Sequence, residues 1–185
     1  MAMDNGASSY RRFLDGDESA FDDIMNELFY GLVFFIDRYV HDVHTAEDIA
    51  IDAFCDLVVH KHRYNFKVSL KTYLFMIGRS RALDYIRRRR IFAFEELSEA
   101  QSIPDGKRTP EEELLFDERS RLISSAVSKL PRDMRAAVHL IYFEDMTYKE
   151  AARVMKKTEK QIDNLLYRAK KELRIILGKD GELLL

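Results

Sequence analysis

The sequence predicts an all-α protein. It is expected to form two small helical domains joined by an acidic linker, the C-terminal one containing a helix-turn-helix. Three observations predict this. Gly and Pro number only 7 and 3 among 185 residues, well under the usual share of roughly 12%, and so few chain-turning residues fit long helices rather than a many-turned β fold. Apolar residues recur at steps of three and four over most of the chain, the repeat of one helix face. That repeat stops between Glu95 and Thr109, where Pro104-Asp105-Gly106 is a turn signal. The expected domains are therefore 1–93 and 110–185, with 94–109 as the linker.

The first long helix is expected from Glu18 to about Val40. Phe21, Ile24, Met25, Leu28, Phe29, Leu32, Phe35, Ile36 and Tyr39 carry its apolar repeat. Thr45-Ala46-Glu47-Asp48 reads as an N-cap with acids in the first turn. It opens a helix with Ile49, Ala53, Leu57 and His60 on one stripe. Lys61 to Val68 breaks the pattern and is expected to be a loop. Ser69 can cap the next helix, which carries Leu70, Tyr73, Leu74, Ile77, Leu83 and Ile86 and ends in Arg87-Arg88-Arg89-Arg90.

Beyond the linker, Thr109-Pro110-Glu111-Glu112 restarts a helix with a cap, a Pro in the first helical position and acids behind it. Pro131 opens another. Thr147-Tyr148-Lys149-Glu150 and Thr158-Glu159-Lys160-Gln161 are both capping boxes, eleven residues apart. That spacing leaves a helix of about two turns, a short turn and a longer helix from Thr158 to about Leu177, the pattern of a helix-turn-helix.

The net charge of −2 hides a segregation. Residues 1–60 carry 13 acids and 3 bases, and residues 61–90 carry 10 bases and 1 acid. Residues 91–118 carry 9 acids and 2 bases, and residues 119–185 carry 15 bases and 9 acids. Basic blocks attract phosphate; acidic blocks keep nucleic acid away or meet a basic protein surface. Arg79, Arg81, Arg87, Arg88, Arg89 and Arg90 make the densest positive field, with Tyr73, Phe75 and Tyr85 interleaved. For these aromatics the core is the favoured place, because Tyr73 and Tyr85 lie near the apolar stripe.

Other functions are poorly supported. One cysteine, Cys55, excludes an intrachain disulfide and any multi-Cys metal site; inside a helix it is expected to be a small core residue. His41-Asp42-Val43-His44 lacks a third ligand at defined spacing and reads as a helix-end loop. No nucleophile elbow, Gly-rich phosphate loop or zinc-protease motif occurs, so no catalytic, metal-binding or cofactor-binding set is expected and the chain is not read as an enzyme. The longest apolar run, Leu32 to Ile36, is too short to span a membrane. The start, MAMDNGASSY, is unlike a secretory signal, and a cytoplasmic location is expected.

The run from Ser69 to Arg90, SLKTYLFMIGRSRALDYIRRRR, resembles the promoter-melting segment of bacterial RNA polymerase sigma factors, of the small extracytoplasmic-function type. Ala46-Glu47-Asp48-Ile49-Ala50-Ile51-Asp52-Ala53-Phe54 resembles that family's helix that docks on the β′ coiled coil of the polymerase. Leu130-Pro131-Arg132-Asp133-Met134-Arg135, Tyr148-Lys149-Glu150-Ala151-Ala152 and Leu165 to Leu173 resemble its second domain. The likeness spans roughly 9–178, and the linker matches in character only.

The resemblance implies a chain without catalysis of its own. Its partners would be core RNA polymerase, through the β′ coiled coil and the β subunit, and promoter DNA; the family often has an anti-sigma factor as well. It implies core docking through Glu47, Asp48, Asp52 and Asp56, of which the three aspartates recur every four residues and share a helix face. It implies contact with −10 DNA through the basic helix and through Lys61, Arg63, Tyr64, Asn65 and Phe66. In that loop Lys61 and Arg63 suit backbone, Tyr64 or Phe66 suits stacking on a flipped base, and Asn65 suits a base edge. Contact with −35 DNA falls to Lys160, Gln161, Asn164, Arg168 and Lys171. The family usually has Gly where Lys156 stands, an apolar residue at Lys157 and a basic one at Asp163 and Leu165. Positive φ disfavours Lys, so an altered turn is expected at Lys156. The alternative reading is a stand-alone helix-turn-helix regulator whose N-terminal domain binds a ligand or dimerises.

Overall fold

A computed structural model describes residues 6–95 and 118–178, which are helices and connections with no strand among them. The chain divides into two compact units, Met1–Asp105 and Gly106–Leu185.

In the first unit, α1 spans Ala7–Leu14, α2 Ser19–Val40, α3 Val43–Val59 and α4 Leu70–Glu95, with a single 3-10 turn at Lys61–Arg63. Helix α2 is the centre: α1, α3 and α4 all pack on it. Its buried face is Ile24, Leu28, Leu32, Phe35, Ile36 and Tyr39, against Ala50, Ala53, Phe54 and Leu57 of α3 and Leu70, Leu74, Phe75 and Ala82 of α4. Gly78 sets how closely α4 crosses α2. A Cβ there would stand 2.8 Å from Leu32 Cδ1 and 3.1 Å from Ile36 Cδ1, so even a small side chain would force the buried Leu32 and Ile36 to shift.

Several expectations need correction. Helix α1 was not expected; its eight residues carry too few apolar positions to show a period. Helix α3 starts at Val43, and its cap is Asp42, whose carboxylate accepts from the Thr45 backbone N–H at 2.7 Å, so Thr45 lies inside the first turn. The Thr45 backbone N–H and hydroxyl hold the Asp42 carboxyl below its ordinary range. His41, at φ 57°, closes α2, so the His41–His44 segment joins two helix ends. Cys55 is exposed, on a face with the exposed Ile51 and Val59, while Ala50, Ala53, Phe54 and Leu57 turn inward. Ser69 Oγ does accept from the Thr72 N–H, at 3.1 Å. Helix α4 continues to Glu95; the rest of the 94–109 linker and the helix start at Thr109 lie outside the described residues.

In the second unit, α5 spans Glu118–Ser128, α6 Arg132–Val138, α7 Tyr148–Met155 and α8 Glu159–Leu177. Pro131 precedes α6, and a π-helical turn at His139–Phe143 follows it. The buried Arg135 donates to the Ser128 carbonyl at 2.8 Å, capping the end of α5. Met134, Ala137, Leu140, Ala151, Met155, Ile162, Leu166 and Leu173 form the core.

Candidate nucleic-acid interface

Helix α3 and the basic helix α4 meet through charge. The Arg81 guanidinium donates to Asp56 at 2.7 Å and to Asp52 at 3.1 Å. Two expected docking acids and one expected DNA contact are thus partners of one another. The Arg81 hydrogen bond holds the Asp56 carboxyl below its ordinary value. That contribution is present above the unfolded carboxylate pKa of about 4 and is lost as pH falls through the lowered folded value. Asp48 is exposed, and Glu47 lies 3.6 Å from His44 on the surface.

The loop after α3 is more closed than its sequence implies. Tyr64 is only 4% exposed, and its hydroxyl donates to the Val68 carbonyl at 2.7 Å. Its ring stands 4.6 Å from Phe66, 5.1 Å from Tyr73 and 5.5 Å from Tyr10. A ring so enclosed offers no face to a flipped base, and the stacking role expected for Tyr64 does not fit its place. Phe66 is half-buried at φ 59°, with the Arg11 guanidinium 4.9 Å over its ring. Lys61, Arg63 and Asn65 are exposed; Asn65 Oδ1 accepts from the Lys67 N–H at 3.1 Å, which shapes the loop tip.

Along α4, Arg79 is half-buried and Arg87, Arg88, Arg89 and Arg90 are exposed. Four consecutive helical residues point around most of the axis at about 100° each, so they cannot all meet one surface; Arg87 and Arg90, three apart, share a face. Arg87 also lies 3.1 Å from Asp84 across solvent. Phe75 is fully buried and Tyr73 and Tyr85 are half-buried, so the core reading of these aromatics holds best for Phe75.

The second unit carries the helix-turn-helix as α7 and α8. Both capping boxes form: Thr147 with Glu150, and Thr158 with Gln161. The expected alteration at Lys156 does not occur. Lys156 takes the left-handed conformation itself, at φ 53° and ψ 48°, and the turn keeps the geometry that glycine would supply. Replacing Lys156 with Gly should therefore stabilise the second unit by about 1 kcal/mol, since a left-handed residue with a Cβ costs roughly that much. Thermal unfolding of the full chain reads this as a raised midpoint for the transition that includes the second unit. An unchanged or lowered midpoint would refute it.

Lys160, Gln161, Asn164, Arg168 and Lys171 are all exposed on α8. Gln161, Asn164 and Arg168 line a shallow recess with Lys157 and Leu165. Two of the expected contacts have other partners. Gln161 Oε1 accepts from the Thr158 N–H at 2.8 Å, so its bidentate use on adenine would require the cap to open. Lys171 Nζ lies 4.8 Å over the Tyr167 ring. Lys157, placed in the recess, is also 3.0 Å from Asp133.

The site residues that sequence reasoning missed are Tyr10, Arg11 and Phe13. Tyr10 is fully buried, and its hydroxyl donates to the Leu57 carbonyl at 2.9 Å, with the Lys61 carbonyl 3.3 Å away. Burial pushes its phenol up to about 12, so it stays a donor. The signal available was an aromatic pair three residues apart in an otherwise polar segment.

Comparison with known proteins bears on both units. Residues 32–91 match the family model described as Sigma-70 region 2, and residues 120–173 match that of Sigma-70, region 4. The ECF RNA polymerase sigma factor SigM of Bacillus subtilis is 26% identical over 140 residues, covering 75% of this chain and 83% of SigM. The RNA polymerase sigma-H factor of Pseudomonas aeruginosa is 26% identical over 166 residues, covering 85% and 86%. Among solved structures, the sigma factor RpoE in complex with the anti-sigma factor NepR from Bartonella quintana aligns at a TM-score of 0.69 and 20% identity. That alignment covers 86% of this chain and 98% of RpoE. CnrH in complex with the cytosolic domain of CnrY aligns at 0.68 and 19% identity, covering 96% and 99%. At these identities the two structures establish a shared fold.

Proposed function

The chain belongs to the sigma-70 family, as an extracytoplasmic-function sigma factor that directs transcription initiation, and from that premise we propose how its two units divide the work. The first docks on core RNA polymerase through the exposed acids at the start of α3 and opens −10 DNA with α4 and the loop before it. The second holds −35 DNA with α8. The chain itself performs no chemistry; the polymerase does. It works in the cytoplasm, where its promoters are. RpoE and CnrH were each solved with a partner, NepR and the cytosolic domain of CnrY, and an anti-sigma factor is the corresponding partner proposed here. A stand-alone regulator explains the helix-turn-helix but leaves the region 2 match without a role.

The observation that carries this reading lies in the first unit. Exposed acids on α3 stand beside a loop and helix that present the exposed basic side chains Lys61, Arg63 and Arg87 to Arg90. Among the described residues no helix is long and apolar enough to cross a membrane.

The loop and the basic helix have separable tasks. Replacing Asn65 or Phe66 with Ala should leave closed-complex binding nearly unchanged and lower open-complex formation, with a loss that depends on the −10 base. A flipped base gains stacking and edge hydrogen bonds only after it leaves the duplex. Permanganate footprinting on duplex and pre-melted promoters measures this. Equal defects on both templates for every −10 base would contradict the assignment.

A further inference from the structure

Helix α1 packs against the very loop assigned above to the opened strand, and the inference rests on that assignment. Tyr10 ties its hydroxyl to the end of α3 and sets its ring edge-on to Tyr64, 5.5 Å away, and 6.2 Å from Phe66. Two cation–ring contacts cross the same junction: Arg11 over Phe66 at 4.9 Å, and Lys61 over Phe13 at 4.4 Å. Phe66 sits at φ 59°, a conformation that a bulky residue keeps only when its surroundings impose it. The Leu57 carbonyl that Tyr10 engages belongs to the last turn of α3, whose carbonyls a helix leaves without internal partners. Helix α1 has eight residues, too few to be stable by itself; packing on α2 holds it, and the junction passes that order to the loop.

We propose that Tyr10 is a positioning residue for −10 base selection. From α1 it holds Lys61–Phe66 in the binding shape before DNA arrives, without touching DNA. A loop already ordered does not charge its ordering entropy to the binding step. If the junction loosens, the loop samples other shapes, and the shape that distinguishes one base from another is the first lost. Tyr10→Phe keeps the ring and its packing and removes only the hydroxyl.

The test uses the full chain bound to core polymerase. Open-complex formation is scored by permanganate on pre-melted promoters that carry each of the four bases at the selected −10 position, and the readout is the ratio between the best base and the others. Tyr10→Phe should lower that ratio roughly fivefold, the effect of one net hydrogen bond, with core affinity and closed-complex binding unchanged. Arg11→Ala, at an exposed position, should move the ratio the same way and decides the matter if Tyr10→Phe fails to fold. Asn65→Ala is the direct-contact control. A purely structural role for Tyr10 lowers all templates alike and leaves the ratio unchanged, and that result overturns the proposal. If Asn65→Ala shifts the ratio and both α1 variants do not, the loop assignment stands and the positioning role fails. If none of the three shifts it, the loop assignment falls and the positioning role falls with it.

Discussion

Replacing Glu47 and Asp48 together with Arg should weaken binding to core polymerase roughly 100-fold while leaving the helical spectrum intact. The magnitude follows from placing like charges across an interface, which costs several kcal/mol, with about 1.4 kcal/mol per tenfold. The choice of residues follows from the structure. Asp52 and Asp56 lie on the same helix, but both hold Arg81. An Arg at position 52 would stand beside Arg81 and disturb the α3–α4 contact, so lost binding could not be separated from lost structure. Asp48 is exposed, and Glu47 pairs with His44 at the surface, the kind of pair worth about 1 kcal/mol or less. Fluorescence titration of the labelled chain with core polymerase gives the affinity. Parent-like affinity would remove α3 from the docking surface.

The second large effect concerns the end of α4. Arg87→Ala with Arg90→Ala, two exposed residues on one face, should weaken promoter binding by the polymerase complex for any sequence. Each phosphate contact contributes about 0.9 unit to the slope of log affinity against log salt. Losing two should flatten that slope by about two units and lower affinity roughly 100-fold at 0.1 M salt. The Arg87–Asp84 pair does not reduce this expectation much, because both side chains are well exposed and such pairs are weak. A variant that binds less tightly with an unchanged slope would mean that the arginines act through the fold rather than on phosphate.

What was legible beforehand depended on how local its cause was. The helix-turn-helix was readable because each capping box lies within four residues, and Thr158 and Leu177 frame α8 as expected. The Asp42 cap was missed because Thr45 and Asp42 are both good N-caps, and only the backbone at Asp42 decides between them. Helix α1 was missed because it is held by packing on α2 and by Tyr10 reaching residues 47 and 51 positions away, which no local period encodes. The same holds for Arg81, whose partners lie 25 and 29 positions away. Opposite charges on neighbouring helices hinted at that pairing, but charge counts do not say which arginine turns inward. Tyr64 was misjudged because an aromatic in a polar loop can face solvent or core, and here three aromatic residues, Tyr10, Phe66 and Tyr73, gather around it. Lys156 shows the converse: the left-handed turn persists without glycine because the helices on either side define it.

The most direct measurement is run-off transcription with purified core polymerase, the purified chain and a library of promoter-bearing fragments. Core polymerase with the chain should start transcripts at a discrete set of sites, each preceded by two shared sequence elements. Neither component alone should do so, and the chain alone should bind those fragments weakly. Tight, site-specific binding by the chain alone, with no core-dependent transcript from any fragment, would contradict its role as a sigma factor.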